Sequence, residues 1–257
     1  MAKKKSRPLL NHPFFSIFSF VSQNLRRFHP GRKAVETISA AAEDYLKTIY
    51  KLQKGCEAVG RVTTSLVAER MEVAAASATN MIKKLADKSL LKHTPYRGVE
   101  LTRAGERLAL ETLRHHRLLE LYLSRELGFG WDRVHAEAER MEHAISEEFE
   151  ERIDQALGHP TVGAHGEPIP TREGEIHEPP YLRLSELKTG QQAVIRRVID
   201  RSAEMLRYMD QIGLQLGTRV EIDTRAPFNG PLLLEIEAQR EHALGLEVAD
   251  HIFVEPV

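Results

Sequence analysis

Apolar positions in the first third of the chain recur at helical spacing. Ile38, Ala42, Tyr45, Leu46 and Ile49 line one side of a helix predicted over residues 36–53, which Gly55 ends. Thr63 can cap a short helix reaching about residue 71, and Ala78, Ile82 and Leu85 mark the buried side of another over residues 75–88. Leu90-Leu91-Lys92-His93 and Val99-Glu100-Leu101 then flank a turn at Pro95-Tyr96-Arg97-Gly98, which reads as a β-hairpin. Helix, turn, helix and hairpin make a winged helix-turn-helix. Thr102 can cap a long helix to about residue 127, stopped by Gly128. Its Leu118, Leu119, Leu121, Tyr122 and Leu123 exceed one core stripe, and a subunit interface is the expected sink. A single helix over residues 132–157 is expected next, with the apolar stripe Val134, Ala138, Met141, Ile145, Phe149 and Ile153. Beyond the Pro179-Pro180 linker the period changes. Leu184-Ser-Glu-Leu187-Lys-Thr-Gly190 opens an alternating pattern that continues through Ala193, Ile195 and Val198, then 220–222, 232–236 and 252–254, and it points to five short strands in a small barrel, with a helical turn near 206–213.

The expected fold class is therefore mainly α with a small all-β C-terminal domain. The expected divisions are a basic, disordered extension over 1–34, the winged helix over 35–104, a helical domain over 105–178 and the β domain over 179–257.

Charge sharpens this division. Residues 1–35 carry eight Lys or Arg and no acid, and residues 61–107 carry nine against five. Residues 108–178 reverse the balance, with seven against sixteen. A basic block before an acidic one implies a polyanion-binding part and a cation-binding part. The one cysteine, Cys56, allows no internal disulfide and no cysteine-based zinc site, which fits a reducing cytoplasm. No apolar run reaches membrane-spanning length, so no membrane partner is expected. The segment around Phe14-Phe15 has a basic start and an apolar centre, but serines break the centre and no small-residue cleavage site follows. A basic arm adding DNA or membrane-surface contacts is the alternative to a disordered extension.

The winged helix has chemistry suited to double-stranded DNA. Small residues Ala74, Ala75, Ala76 and Ser77 open the second helix and would let its backbone approach a major groove. Thr63, Thr79 and Asn80 can reach the nucleic acid, the last two at base edges, while Lys83, Lys84 and Arg97 suit phosphates. A winged helix used for protein contacts is the alternative.

On a helix, His135, Glu139, Glu142 and His143 share an arc roughly 100° wide beside the apolar stripe. Two imidazoles and two carboxylates there match a divalent cation of borderline-to-hard character. An ordinary solvated face has the same spacing. His116 and Glu120, four apart on the preceding helix, add a second ligand pair that antiparallel packing would bring close. No HExxH-type motif is present, so a metal-dependent hydrolase, and with it an enzyme, is disfavoured.

Ala42-Glu43-Asp44-Tyr45-Leu46-Lys47-Thr48-Ile49-Tyr50, the winged helix, His116-Arg-Leu-Leu-Glu120, the 134–143 block and Gly166-Glu-Pro-Ile-Pro170 resemble, in order and spacing, the diphtheria toxin repressor family of metal-dependent transcriptional regulators. The resemblance spans residues 36–257. It implies a repressor that binds operator DNA as a homodimer when loaded with metal and controls metal homeostasis. It further implies a primary metal site of Asp44, Glu139, Glu142 and His143, and an ancillary site of His116, Glu120 and His135 completed from the C-terminal domain. That domain resembles the SH3-like domain of ferrous-iron-transport A proteins, and Glu204 lies near the extra ancillary ligands.

In iron-responsive members the positions of Asp44 and Glu139 resemble Met and Cys. The carboxylates here favour Mn(II), with Fe(II) the second choice. Lys47 departs from the Glu of small manganese regulators and argues for two separate metal sites. His159, His165 and His177 read as loop histidines. A metal-independent DNA-binding protein with a vestigial ligand face is the remaining alternative.

Overall fold

The computed structural model describes residues 38–54, 62–94, 97–199, 202–237 and 240–257. The basic segment 1–34, Gly55 and Cys56 lie outside them.

The first helix, α1, is Ala40–Lys54. The expected start at residue 36 lies outside the described residues; Ile38 and Ser39 precede the helix, and its first turn closes on the Ser39 carbonyl, which accepts from the amides of Ala42 and Glu43. Helix α2, Thr64–Arg70, has Thr63 as its cap: the side-chain oxygen accepts from the Leu66 amide. Helix α3, Ala75–Asp87, buries Ala78, Ile82 and Leu85 as its period requires. The wing pairs β1 (Leu91–Thr94) with antiparallel β2 (Gly98–Leu101), Leu91 opposite Leu101. Helix α4, Arg103–Arg125, is capped by Thr102 and packs its first turn on the Leu90 carbonyl. A Cβ at Gly105 would come within 1.9 Å of that oxygen, so only glycine fits there.

The single helix expected over 132–157 is two helices. Helix α5, Val134–Met141, ends in turns at 142–144, and α6, Glu147–Ala156, begins anew. Ser146 caps α6 by accepting from the Phe149 amide, and Glu147, Glu148 and Glu150 in the first turn complement its dipole. The break splits the expected stripe: Val134, Ala138 and Ile153 are buried, whereas Met141 and Phe149 are exposed.

The expected sink for the leucines of α4 also changes. Leu118, Leu119, Leu121 and Leu123 are buried within the chain. The first three share a cluster with Ala138, Ile153 and Ile169, against which Tyr122, Ile145 and Ala164 pack. The apolar side chains left outside in this region are Leu127, Met141, Phe149 and Val162.

The C-terminal domain is one antiparallel sheet of six strands in the order β3-β8-β4-β5-β6-β7. These are Leu182–Arg183, Gln192–Val198, Arg219–Arg225, Leu232–Ile236, Arg240–Leu244 and Ile252–Pro256, numbered β3 to β8 along the chain. Two strands, β3 and β7, are additional to the alternating segments noted above. Helix α7, Ala203–Ile212, starts at the Ser202 cap and stops at Gly213 in the left-handed region, φ +85°. A four-residue helix α8, Leu246–Ala249, precedes β8. Leu206, Met209, Ile195, Ile222, Leu234 and Val254 belong to this domain's core, and Trp131 of the middle region packs against it.

Candidate metal centre

Helices α1, α4 and α5 deliver the polar cluster. Glu43, Asp44 and Lys47 lie on one face of α1, His116 and Glu120 stand one turn apart on α4, and His135 and Glu139 one turn apart on α5. Glu142 caps the end of α5, and His143 follows in the turn.

Asp44, Glu142 and His143 form one candidate metal group, with ligand atoms all within 4.8 Å of one another. His143 Nε2 lies 2.8 Å from Asp44 Oδ1 and 3.3 Å from Glu142 Oε1. Its Nδ1 is 2.6 Å from Glu43 Oε2, which orients the ring. Glu43 was not singled out among the ligand candidates, although it adjoins Asp44. Glu139 stands apart from this trio and groups instead with His116 and Glu142. Its Oε1 accepts from Lys47 Nζ at 2.8 Å. Lys47 also donates to Glu142 Oε1 and lies 3.9 Å from Asp44.

His116, Glu120 and His135 form the second group. His116 Nε2 is 2.9 Å from Glu120 Oε1 and 3.1 Å from His135 Nδ1, and its Nδ1 is 2.6 Å from Glu142 Oε2. One imidazole thus bridges the two groups. Glu204 sits exposed in the first turn of α7 and joins no metal-capable group among the described residues.

Burial sets the electrostatics. Taken alone it would raise the Glu142 carboxyl, but His116 and Lys47 outweigh it and hold the group down at about 2. Burial likewise opposes ionisation of Glu120, yet the charge and hydrogen bond of His116 pull it well below the usual carboxylate range. His116 is raised in turn: burial disfavours its cationic form, and Glu120 and Glu142 more than compensate. Lys47 follows the same pattern, with desolvation overcome by Glu142 and Glu139.

Of the three histidines read as loop residues, His159 and His177 are exposed, His159 beside Asp154. His165 is fully buried. It stacks on Trp131 and sits 3.8 Å from Glu120 Oε2, and Glu120, His165 and Glu167 make a further metal-capable group. Its loop is held from both sides: Val198 of β4 donates to the His165 carbonyl at 2.9 Å, and Trp131 Nε1 to the Ala164 carbonyl at 3.2 Å. Gly166, at φ +87°, lies so close to β4 that a Cβ would come within 2.1 Å of the Arg196 carbonyl. The Gly166 motif was legible in the sequence, whereas the burial of its neighbour is purely a tertiary matter.

A separate buried pair braces the middle region. Arg114 Nε donates to Glu150 Oε1 at 2.6 Å and Nη1 to the Pro170 carbonyl at 2.9 Å, while His115 Nε2 lies 3.2 Å from Glu150 Oε2. Glu150 is raised by burial and lowered more by His115 and Arg114, to about 2.

In the winged helix, Ala74, Ala76, Ser77, Asn80, Lys83, Lys84 and Arg97 are exposed. Thr79 is half-buried and donates to the Ala75 carbonyl at 2.8 Å, and the Thr63 oxygen serves as the α2 cap.

Known proteins match this arrangement in the same order. The iron dependent repressor N-terminal DNA binding domain matches residues 37–99, the iron dependent repressor metal binding and dimerisation domain residues 102–171, and the FeoA domain residues 182–256. The iron-dependent repressor IdeR of Mycobacterium leprae is 30% identical over 227 residues, 84% of this chain and 96% of that protein. The chain belongs to the diphtheria toxin repressor family. Within that family, the diphtheria toxin repressor of Corynebacterium diphtheriae is 30% identical over 184 residues, 70% of this chain and 75% of that protein. A solved manganese-dependent transcriptional repressor in complex with manganese superposes with a TM-score of 0.78 at 38% identity, covering 84% of this chain and all of that one. As a member of the diphtheria toxin repressor family, the protein is a metal-dependent transcriptional repressor with a DNA-binding and a dimerisation domain. No helix among the described residues is long and apolar enough to cross a membrane.

Proposed function

We propose that this protein is a Mn(II)-activated repressor that grips operator DNA as a homodimer. The observation that carries this reading is the meeting of Asp44, on the first helix of the winged-helix domain, with Glu142 and His143 of the middle domain. The donor set fits a divalent ion: it offers carboxylate oxygens and imidazole nitrogens, with no sulfur. A divalent ion held there would add positive charge among these carboxylates, which Lys47 already faces. Asp44, Glu142 and His143 are the assigned primary ligands, with Glu139 the fourth residue. His116, Glu120 and His135 hold the ancillary position, and His165 backs Glu120 from the far side.

The chain's own residues do the coupling. Asp44 fixes α1 against the middle domain, and α1 carries the winged helix. The paired recognition helices then keep one spacing, matched to two half-sites. Only a differential affinity of the two states for the ion can move that equilibrium. On α3, Thr79 and Asn80 face base edges, and Lys83, Lys84 and, from the wing, Arg97 meet phosphates. Exposed Met141, Phe149, Leu127 and Val162 in the middle region are the apolar surface offered to a second copy. The domain boundaries follow the same logic, with 35–104 for DNA, 105–178 for metal and dimer contacts and 179–257 as a β domain docked on the loop of His165.

Iron is the second reading, because the relatives from Mycobacterium leprae and other mycobacteria are iron-dependent repressors. Fluorescence anisotropy on a palindromic operator, with chelator and with Mn(II), anaerobic Fe(II) or Zn(II) at matched free concentrations, separates the two. Mn(II) is expected to activate at the lowest concentration. Asp44→Ala is expected to remove at least about tenfold of the metal-dependent gain in DNA affinity while leaving the dimer intact. Binding by that variant with an unchanged Mn(II) response would overturn the assignment.

A further inference from the structure

Lys47 is buried, with 4% of its surface exposed, in a protein whose other lysines on α1 lie nearer water. Lysine is seldom buried so completely without a partner. Its hydrogen-bond partners belong to another domain: Nζ donates to Glu139 Oε1 at 2.8 Å and to Glu142 Oε1, while on its own helix it stands 3.9 Å from Asp44 Oδ1. Glu142 Oε1 is also the oxygen that faces His143 Nε2 at 3.3 Å in the Asp44, Glu142, His143 group. The ammonium therefore holds an oxygen that a metal ion at that group needs. It also holds Glu139, the residue of the proposed primary set that stands outside the trio.

We propose that Lys47 is a resident cation of the metal site. Without an ion it bridges α1 to α5, and it sets the metal threshold by competing with the incoming ion for Glu142 and Glu139. The inference rests on the metal-activated reading above. Two cations within a few ångströms repel strongly in a buried site, so the ion enters only as the lysine gives up its carboxylates. The four-carbon stem allows this, because rotation about its bonds can carry the ammonium away while α1 stays in place. The bridge has a second consequence. The chelated protein is not an open hinge of repelling carboxylates: its winged helix is already tied to the middle domain, and metal exchanges one tie for a stronger one.

The test uses the full chain and the variants Lys47→Leu and Lys47→Gln. The first removes the charge and every donor. The second keeps an amide that can still donate to Glu142, so a folded variant remains if leucine leaves the carboxylates too poorly solvated. Mn(II) affinity is read from the electron paramagnetic resonance signal of free Mn(II), without DNA. Amide hydrogen exchange of α1 is read in chelator. Both variants are expected to bind Mn(II) about tenfold or more tighter than the parent, and their α1 amides to exchange faster in chelator. Equal or weaker Mn(II) binding by a folded variant overturns the competition, and unchanged α1 exchange overturns the bridge. A parent protein whose DNA binding ignores Mn(II) would instead sink the functional reading. A parent that responds, with variants that match it, would sink only the role of Lys47.

Discussion

On α3, Ser77, Asn80, Lys83 and Lys84 stand in solvent; on α4, His116 and Glu120 are sealed from it. Both helices present polar side chains at spacings of three and four, so periodicity alone describes them alike. Their surroundings differ. The α3 side chains keep their hydration and wait for a partner outside the chain. Those of α4 have lost water and must answer one another, which they do through Glu142, His135 and Lys47. Desolvation makes each lost partner expensive in the second region and nearly free in the first. A polar face reads as an interface where it is exposed and as a switch or brace where it is buried.

Glu120→Ala is expected to break this contrast most severely. It would leave His116 and His135 in a buried site without their shared carboxylate and cost about 3–5 kcal/mol, measured by urea unfolding in chelator. A loss below about 1 kcal/mol would mean that the α4 network is as dispensable as a surface one. Glu150→Gln comes next, at about 1.5–3 kcal/mol, since Arg114 and His115 would face a neutral amide. This variant also gives a pH signature. The folded Glu150 carboxyl lies at about 2, below its ordinary value of 4.5. Its contribution is therefore complete above about 4.5 and is lost as the pH falls toward 2. Parent and variant stability curves should converge over that acid range, and curves that stay parallel would remove Glu150 from the account. Lys83→Ala is the smallest in stability, within about 0.5 kcal/mol. It should weaken operator binding and lower the slope of log affinity against log salt by about 1. An unchanged slope would take Lys83 off the phosphate backbone.

The sequence made the winged helix legible because its signals are local: caps at Thr63 and Thr102, the α3 period, and alternation in the wing. The ligand arcs were legible for the same reason, since i and i+4 on one helix need no tertiary information. The break between α5 and α6 had its own local signal, Ser146 followed by Glu147 and Glu148, but the continuing apolar period masked it. The two carboxylates paired with Lys47 lie 92 and 95 residues away in sequence, and the partner of His165 lies on a different element. Nothing in the spacing announces such meetings. The leucines of α4 show the opposite error. Their excess over one stripe was real, but three neighbours (α5, α6 and the loop to Ile169) absorb it within the chain.

Trp131 is the chain's single tryptophan, and it stands where three parts meet. Its ring stacks on His165, its Nε1 donates to the Ala164 carbonyl, and its face packs on the core of the C-terminal sheet. The protein thus carries a native optical probe at the seam of its last domain. Excitation at the red edge of the tryptophan band, beyond the absorption of the six tyrosines, reports from that seam alone and without labels, so any loosening of the seam during metal loading or operator release would be read as a colour change in real time.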